Sequence, residues 1–122
     1  MGMQDEETAV EVGNIIANLV SESEKRVAFI ASSDFTHYQP AKLARETDNE
    51  VIGAILNLDV PGMYDRLYRR NASVCGYGTI SAMLTASKIL GGKRATLLNY
   101  SNSGEVSGDL DAVVGYAAVI VE

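Results

Sequence analysis

The sequence has 122 residues, of which 47% are hydrophobic and 21% are charged, so it fits one globular domain and excludes a disordered chain. A formal net charge of -6 argues against nucleic acid as a partner, since the one basic cluster, Arg66, Arg69 and Arg70, has the spacing of a solvated helix face. One cysteine excludes an internal disulfide, and the lack of a signal peptide or a membrane-length apolar run predicts a cytoplasmic protein with no membrane partner.

The first half of the sequence contains three helical patterns and one strand pattern. Segment 5–21 repeats apolar residues at helical spacing, which predicts a surface helix. Segment 26–32 contains the continuous apolar run 27–31, which predicts a strand covered on both faces, as in parallel α/β sheets. A second helix is predicted over 40–57, and Asp59 is the predicted cap of a third, shorter helix.

The second half predicts one more helix followed by two strands. A helical pattern starts at Thr79 and ends at two glycines, as a left-handed C-terminal cap would. Segments 95–100 and 112–121 predict strands, and the polar segment 101–111 predicts a loop. The order α-β-α-α-α-β-β therefore predicts one α/β domain. Because two of the strands carry the pattern of full burial, either another chain covers the sheet edge or these residues belong to a larger sheet.

Asp34 and His37 lie in a loop directly after the predicted strand 26–32. In open α/β sheets the carboxyl ends of the strands form the ligand site. A carboxylate and an imidazole at this spacing can share a metal ion, or the carboxylate can orient the imidazole as a general base. The same pair also fits a turn cap with a surface ion pair, so the residues alone leave the three interpretations open.

Cys75 lies in a glycine-rich turn before the helix predicted at Thr79, where backbone N–H groups and the helix dipole favour a thiolate. A thiolate is a metal ligand or a nucleophile, whereas single cysteines are most often small buried hydrophobic residues. Two further motifs lack part of their pattern. The glycines from Gly76 onward resemble a dinucleotide-binding loop without its preceding strand, and Ser33 with His37 would form a serine hydrolase without the glycines of a nucleophile elbow.

Four sequence blocks follow one another along the chain. They are Ser32-Ser33-Asp34-Phe35-Thr36-His37-Tyr38, Cys75-Gly76-Tyr77-Gly78-Thr79-Ile80, Leu98-Asn99-Tyr100-Ser101-Asn102-Ser103-Gly104 and Val114-Gly115-Tyr116-Ala117-Ala118. In this order the blocks resemble the Memo family, and the resemblance covers nearly the whole chain. It implies that residues 1–122 form a single domain, the C-terminal half of a Memo-like α/β domain.

The Memo family is similar in fold to the class III extradiol dioxygenases, so the resemblance implies a three-layer α/β/α fold of which this chain is a part. Carried over residue by residue, Asp34, His37 and Cys75 match the C-terminal contributors to a metal-type site, with Asp34 and His37 as catalytic residues and Tyr38 lining the pocket. The implied cofactor is a transition metal, iron, copper or zinc. Family members bring two further histidines from an N-terminal half, and this sequence has one histidine in total. An iron facial triad needs two, so the ligand set is incomplete here.

The resemblance implies metal-dependent oxidoreductase or dioxygenase-like activity for a complete protein, and we expect the isolated chain to be inactive. The alternative is a non-catalytic peptide- or protein-binding module, because animal Memo proteins act in signalling. The expected partners are a second copy of the chain or the missing N-terminal half, together with proteins of a radical-SAM pathway.

Overall fold

The computed structural model describes all residues 1–122. In chain order its elements are α1 (Glu6–Ser21), β1 (His37–Gln39), α2 (Ala41–Leu56), α3 (Val60–Arg70), α4 (Tyr77–Ile89), β2 (Ala95–Asn102), α5 (Gly104–Ser107) and β3 (Val113–Val121). The four long helices confirm the helical patterns of the sequence, and their ends lie within about two residues of the predicted ones. None of the helices combines the length and the apolarity that crossing a lipid bilayer requires.

Local chemistry explains where the helices begin and end. The Asp5 side chain accepts the Thr8 N–H at the start of α1, and this hydrogen bond lowers the pKa of the Asp5 carboxyl. Asp59 caps α3 in the same way, by accepting the Gly62 N–H. After α4 the chain turns at Gly91 with a φ of 100°, a left-handed conformation that glycine adopts without steric cost.

The sheet has three strands in the order β1-β3-β2, and both pairings are antiparallel. β2 and β3 form its long ladder, which runs from Ala95 opposite Val121 to Asn102 opposite Gly115 and contains a bulge after Leu97. β1 pairs only with the first residues of β3. The strands predicted over 95–100 and 112–121 are therefore confirmed, whereas the parallel sheet suggested by the apolar run 27–31 is replaced by an antiparallel one.

The strand predicted over 26–32 is wrong. No backbone hydrogen bond ties residues 26–33 to the sheet, and Ile30 is 92% exposed. The segment runs beside the end of β3 around Val119 without pairing with it. A continuous apolar run indicates burial on both sides, but it does not supply the layers that bury it. Within this chain no second layer covers 27–31, so the apolar residues are present without the strand that they predicted.

The core lies on one face of the sheet. Buried side chains of α2, α3 and α4, among them Ile55, Met63 and Leu84, pack against the inward residues of β2 and β3. α1 packs on α4, farther from the sheet. The opposite sheet face carries Leu98 and Ile120 exposed to solvent. The chain is thus a mixed α/β structure with a small antiparallel sheet and helices on one side of it, and it does not itself contain the second helical layer of a three-layer fold.

Two glycines give a matched test of this packing. A Cβ on Gly115, in β3, would lie 2.1 Å from the Oδ2 atom of Asp48, whereas a Cβ on Gly53, inside α2, would meet nothing within 4 Å. We expect Gly115→Ala to destabilise the chain by about 1–3 kcal/mol through overpacking. Gly53→Ala should stabilise it by up to about 1 kcal/mol, because alanine is the better helix former. Chemical denaturation of both variants measures the two changes; equal effects would contradict this packing.

Candidate functional site

The candidate site lies where the loop before β1 meets the turn before α4. The Phe35 N–H donates to the carbonyl of Gly115 and the Gly115 N–H donates to the carbonyl of Thr36, so β3 holds the first loop. The Cys75 N–H donates to the carbonyl of Asp34 at 3.3 Å and joins the second turn to it. The site is therefore built by tethers to β3 and α4, and not by the end of the strand predicted over 26–32.

These tethers bring Asp34, His37 and Cys75 together. One oxygen, nitrogen or sulfur atom of each residue lies within 4.8 Å of the corresponding atoms of the other two. The His37 Nε2 and Asp34 Oδ2 atoms are 3.8 Å apart, which is too far for a hydrogen bond. The Asp34 side chain is 49% exposed and that of His37 is 26% exposed, so a small ion or molecule can reach both.

Ser73 fixes the His37 ring. Its carbonyl oxygen lies 2.6 Å from His37 Nδ1, and its hydroxyl accepts the His37 backbone N–H at 2.8 Å. A carbonyl only accepts, so Nδ1 carries the proton and the lone pair of the neutral ring is on Nε2. Nε2 is the nitrogen that faces Asp34. The ring is therefore presented in the tautomer that ligating histidines use.

One backbone N–H and one hydroxyl lie beside the Cys75 sulfur, those of Asp34 and Ser33. The Asp34 N–H donates to Cys75 Sγ at 3.3 Å, and the exposed thiol stands one residue before Gly76, which caps the N-terminus of α4. A solvent-accessible sulfur beside a backbone N–H donor is open to a metal ion or to a reagent. Cys75 is thus not the small buried hydrophobic residue that most single cysteines are.

Ser33 has a structural role that excludes it as a nucleophile for His37. Its hydroxyl donates to the carbonyl of Asp34 at 2.7 Å and accepts the Gly76 N–H at 2.8 Å. His37 uses its two ring nitrogens toward Ser73 and Asp34, and no hydrogen bond joins it to Ser33. The serine hydrolase alternative therefore lacks its central contact. The dinucleotide-loop alternative also fails, because a loop and not a strand leads into Gly76.

The donor set of the cluster fits a transition metal. Zinc is bound by cysteine sulfur, histidine nitrogen and carboxylate oxygen at about 2.0–2.3 Å, which puts tetrahedral ligand atoms roughly 3.3–3.8 Å apart. The observed separations are at most 4.8 Å, so side-chain rotations that move these atoms by about 1 Å bring them into that range. Three protein donors would leave further coordination positions for water, a substrate or groups from elsewhere.

The basic cluster of the sequence forms no free cationic patch. Arg66 pairs with Asp59, Arg69 with Asp65 and Arg70 with Glu50. The hydrogen bond between the last two lowers the pKa of Glu50 and raises that of Arg70. Each of the three arginines is paired with an acidic residue of the chain, as the spacing of a solvated helix face predicts.

Sequence reasoning missed two residues that support the site. Ser73 acts on His37 partly through its backbone carbonyl, which no sequence pattern reveals. Asp48 is fully buried and accepts hydrogen bonds from Thr36, the residue just before β1. The sequence does contain a signal for Asp48, because a carboxylate on the apolar face of a predicted helix must have buried hydrogen-bond partners.

Comparison with known proteins identifies the family of the chain. The family description "Memo-like protein" matches residues 1–120. The chain is 83% identical to a MEMO1 family protein of Methanosarcina barkeri and 76% identical to one of Methanosarcina mazei, covering 100% of this chain and 46% of each relative. A MEMO1 family protein of Methanocaldococcus jannaschii is 49% identical, again over 100% of this chain and 42% of the relative. The chain thus spans slightly less than half the length of these curated relatives. It belongs to the Memo family.

Proposed function

We propose that the chain supplies Asp34, His37 and Cys75 to a transition-metal site, and that the complete site belongs to a metal-dependent oxidoreductase with dioxygenase-like chemistry. The observation that carries the proposal is the convergence of a carboxylate, an imidazole and a thiol within 4.8 Å from two segments that are far apart in sequence. Exposed acidic groups are common on proteins, but a free thiol and an oriented imidazole beside one are not explained by solubility.

Each residue has a distinct role in this proposal. Cys75 binds the metal as thiolate, and the Asp34 N–H and the start of α4 support its negative charge. His37 binds through Nε2, or exchanges a proton there, because Ser73 holds the proton of Nδ1 in place. The Asp34 carboxylate is the third ligand or the partner of the Nε2 proton. A bound metal would supply Lewis acidity and, for iron or copper, electron transfer.

The remaining ligands of such a site must come from outside residues 1–122. The chain has one histidine, whereas an iron facial triad takes two histidines and a carboxylate. Relatives are about twice as long as this chain, and the exposed sheet face of Leu98 and Ile120 lies open on the side where a second layer would pack. We therefore infer that the active form is a three-layer assembly in which a second half, or a second copy, completes both the sheet and the metal site.

A non-catalytic binding module is the second candidate. Tyr38, next to His37, is 76% exposed and adopts a left-handed φ of 59°. Its neighbours His37 and Gln39, but not Tyr38 itself, line a cleft that runs past Ser73. Exposed aromatic side chains on a fixed backbone are typical anchors of peptide recognition. If Cys75→Ser leaves the cellular role of the complete protein intact, binding and not metal chemistry is the function. Radical-SAM pathway proteins remain a predicted class of partner.

Metal uptake tests the first candidate directly. Equilibrium dialysis against Zn²⁺ or Co²⁺ is expected to load about one ion per chain. Because Cys75 is the only cysteine, a chromogenic disulfide reagent reports on its thiolate alone, and bound metal should slow that reaction at least about tenfold. Asp111→Asn, which alters an exposed carboxylate outside the cluster, is the control and should bind normally. Uptake without thiol protection, or no uptake, would refute a metal site at Cys75.

A further inference from the structure

We propose that Asp48 is a positioning residue for the metal site, which holds Thr36 so that the adjacent His37 presents Nε2 to the ligand cluster. The inference rests on the proposed metal site, because the position of His37 matters to binding only if its Nε2 atom binds a metal ion. Asp48 lies on α2, is 0% exposed and accepts no hydrogen bond from the three candidate ligands.

Asp48 joins three parts of the fold. Its Oδ1 atom accepts the Thr36 N–H at 3.0 Å and the Thr36 hydroxyl at 2.7 Å, and its Oδ2 atom accepts the Tyr100 hydroxyl at 2.7 Å. The carboxylate therefore links α2 to the loop before β1 on one side and to β2 on the other. Burial, together with the hydrogen bond to Asp48, raises the pKa of Tyr100, which keeps the phenol protonated as a donor.

Every polar group of Thr36 is engaged in this junction. Its carbonyl accepts the Gly115 N–H at 2.8 Å, while its N–H and hydroxyl go to Asp48. Gly115 is required at this point, because a Cβ there would overlap Asp48 Oδ2. Three hydrogen bonds to two partners, Asp48 and Gly115, therefore hold the residue that precedes His37. Ser73 holds His37 itself.

Stability alone does not account for a carboxylate at this position. A buried charge carries a desolvation cost, and apolar residues of similar volume usually pack a core at least as well. No cation pairs with Asp48, since the Arg45 guanidinium stands 4.9 Å over the Tyr100 ring and the ion pairs of the chain lie elsewhere. The carboxylate instead constrains the orientation of Thr36. It fixes the N–H and O–H of the residue immediately before the candidate ligand.

Two hydroxyl deletions separate positioning from stability. Thr36→Val and Tyr100→Phe each remove one hydroxyl that donates to Asp48 at 2.7 Å, on opposite sides of the carboxylate. Both should lower the unfolding midpoint to a similar extent, because each loses one hydrogen bond to a charged acceptor. Only Thr36→Val changes the residue that directly precedes His37 in the chain. Thr36→Ser retains the hydroxyl and is the rescue variant; Thr36→Ala replaces the valine variant if that one does not fold.

Two readouts follow the site in these variants. The first is Zn²⁺ affinity, which should fall about tenfold in Thr36→Val and stay within about twofold in Tyr100→Phe and Thr36→Ser. The second is the imidazole ¹⁵N spectrum of the metal-free chain, which reports on His37 alone because the sequence has one histidine. We expect one Nδ1-protonated tautomer in the parent chain and in Tyr100→Phe, and a tautomer mixture in Thr36→Val.

The outcomes distinguish this inference from the proposed function. If the parent chain takes up no Zn²⁺, the metal site is wrong, and the ¹⁵N spectra of the metal-free variants still decide whether Asp48 and Thr36 position the ring. If Thr36→Val and Tyr100→Phe leave the same His37 spectrum and the same affinity, Asp48 is only a core hydrogen-bond acceptor and the inference is overturned.

Discussion

Cys75→Ser is expected to weaken Zn²⁺ binding by more than about 100-fold, since the loss of a residue that merely supports a ligand already costs 10–100-fold. A serine hydroxyl stays protonated near neutral pH and cannot replace the thiolate charge. His37→Ala should have an effect of the same size because it removes the only imidazole of the chain. Competitive titration with a chromogenic zinc chelator measures both affinities.

The same two variants should leave the fold of the metal-free chain nearly unchanged. Cys75 is exposed and His37 lies at the surface of the junction, so neither contributes much buried apolar area. Thermal unfolding should therefore shift little in both. Full Zn²⁺ affinity in Cys75→Ser would place the ion elsewhere and remove the chemical basis of the proposed oxidoreductase.

Self-association of the isolated chain is expected to depend on the open sheet face. Leu98 and Ile120 lie on the face that no helix of the chain covers, and apolar surface of this kind is buried when a partner is present. We expect dimers or larger species at high protein concentration in analytical ultracentrifugation. Ile120→Lys should shift the chain to the monomer by placing a charge on that face.

Val106→Lys is the matched control for this experiment. Val106 is 95% exposed in the short helix α5, so a lysine there adds the same charge away from the sheet face. Its sedimentation should match that of the parent chain. A parent chain that sediments as a monomer at high concentration would show that the exposed face of β2 and β3 is soluble by itself and needs no second layer.

Local patterns predicted the helices well because their causes are local. Apolar spacing and the caps at Asp5 and Asp59 act within a few residues, and the structure has helices at those places. The run 27–31 was misassigned because a strand exists only through its partners, and the chain offers none. Strand β1 was missed for the opposite reason: it has three residues and no apolar pattern, and pairing with β3 creates it.

The residues of the candidate site could be predicted from the sequence, but the contacts that hold them in place could not. Asp34 and His37 are neighbours in sequence, and the thiol chemistry of Cys75 was readable from its turn, but only the fold shows that all three converge. The expected support, an Asp34 carboxylate orienting the ring, differs from the contact observed, which comes from Ser73. Backbone carbonyls carry no residue-type signal, so the tautomer of His37 could not be derived from the sequence.

X-ray absorption spectroscopy of the Zn²⁺-loaded chain tests the metal site most directly. With one cysteine and one histidine in the sequence, each sulfur or imidazole scatterer identifies its residue. The proposed site predicts one sulfur at about 2.3 Å and one imidazole nitrogen at about 2.0 Å, with oxygen completing the shell. A shell of oxygen alone, without sulfur or imidazole, would contradict the assignment of Asp34, His37 and Cys75 as a metal centre.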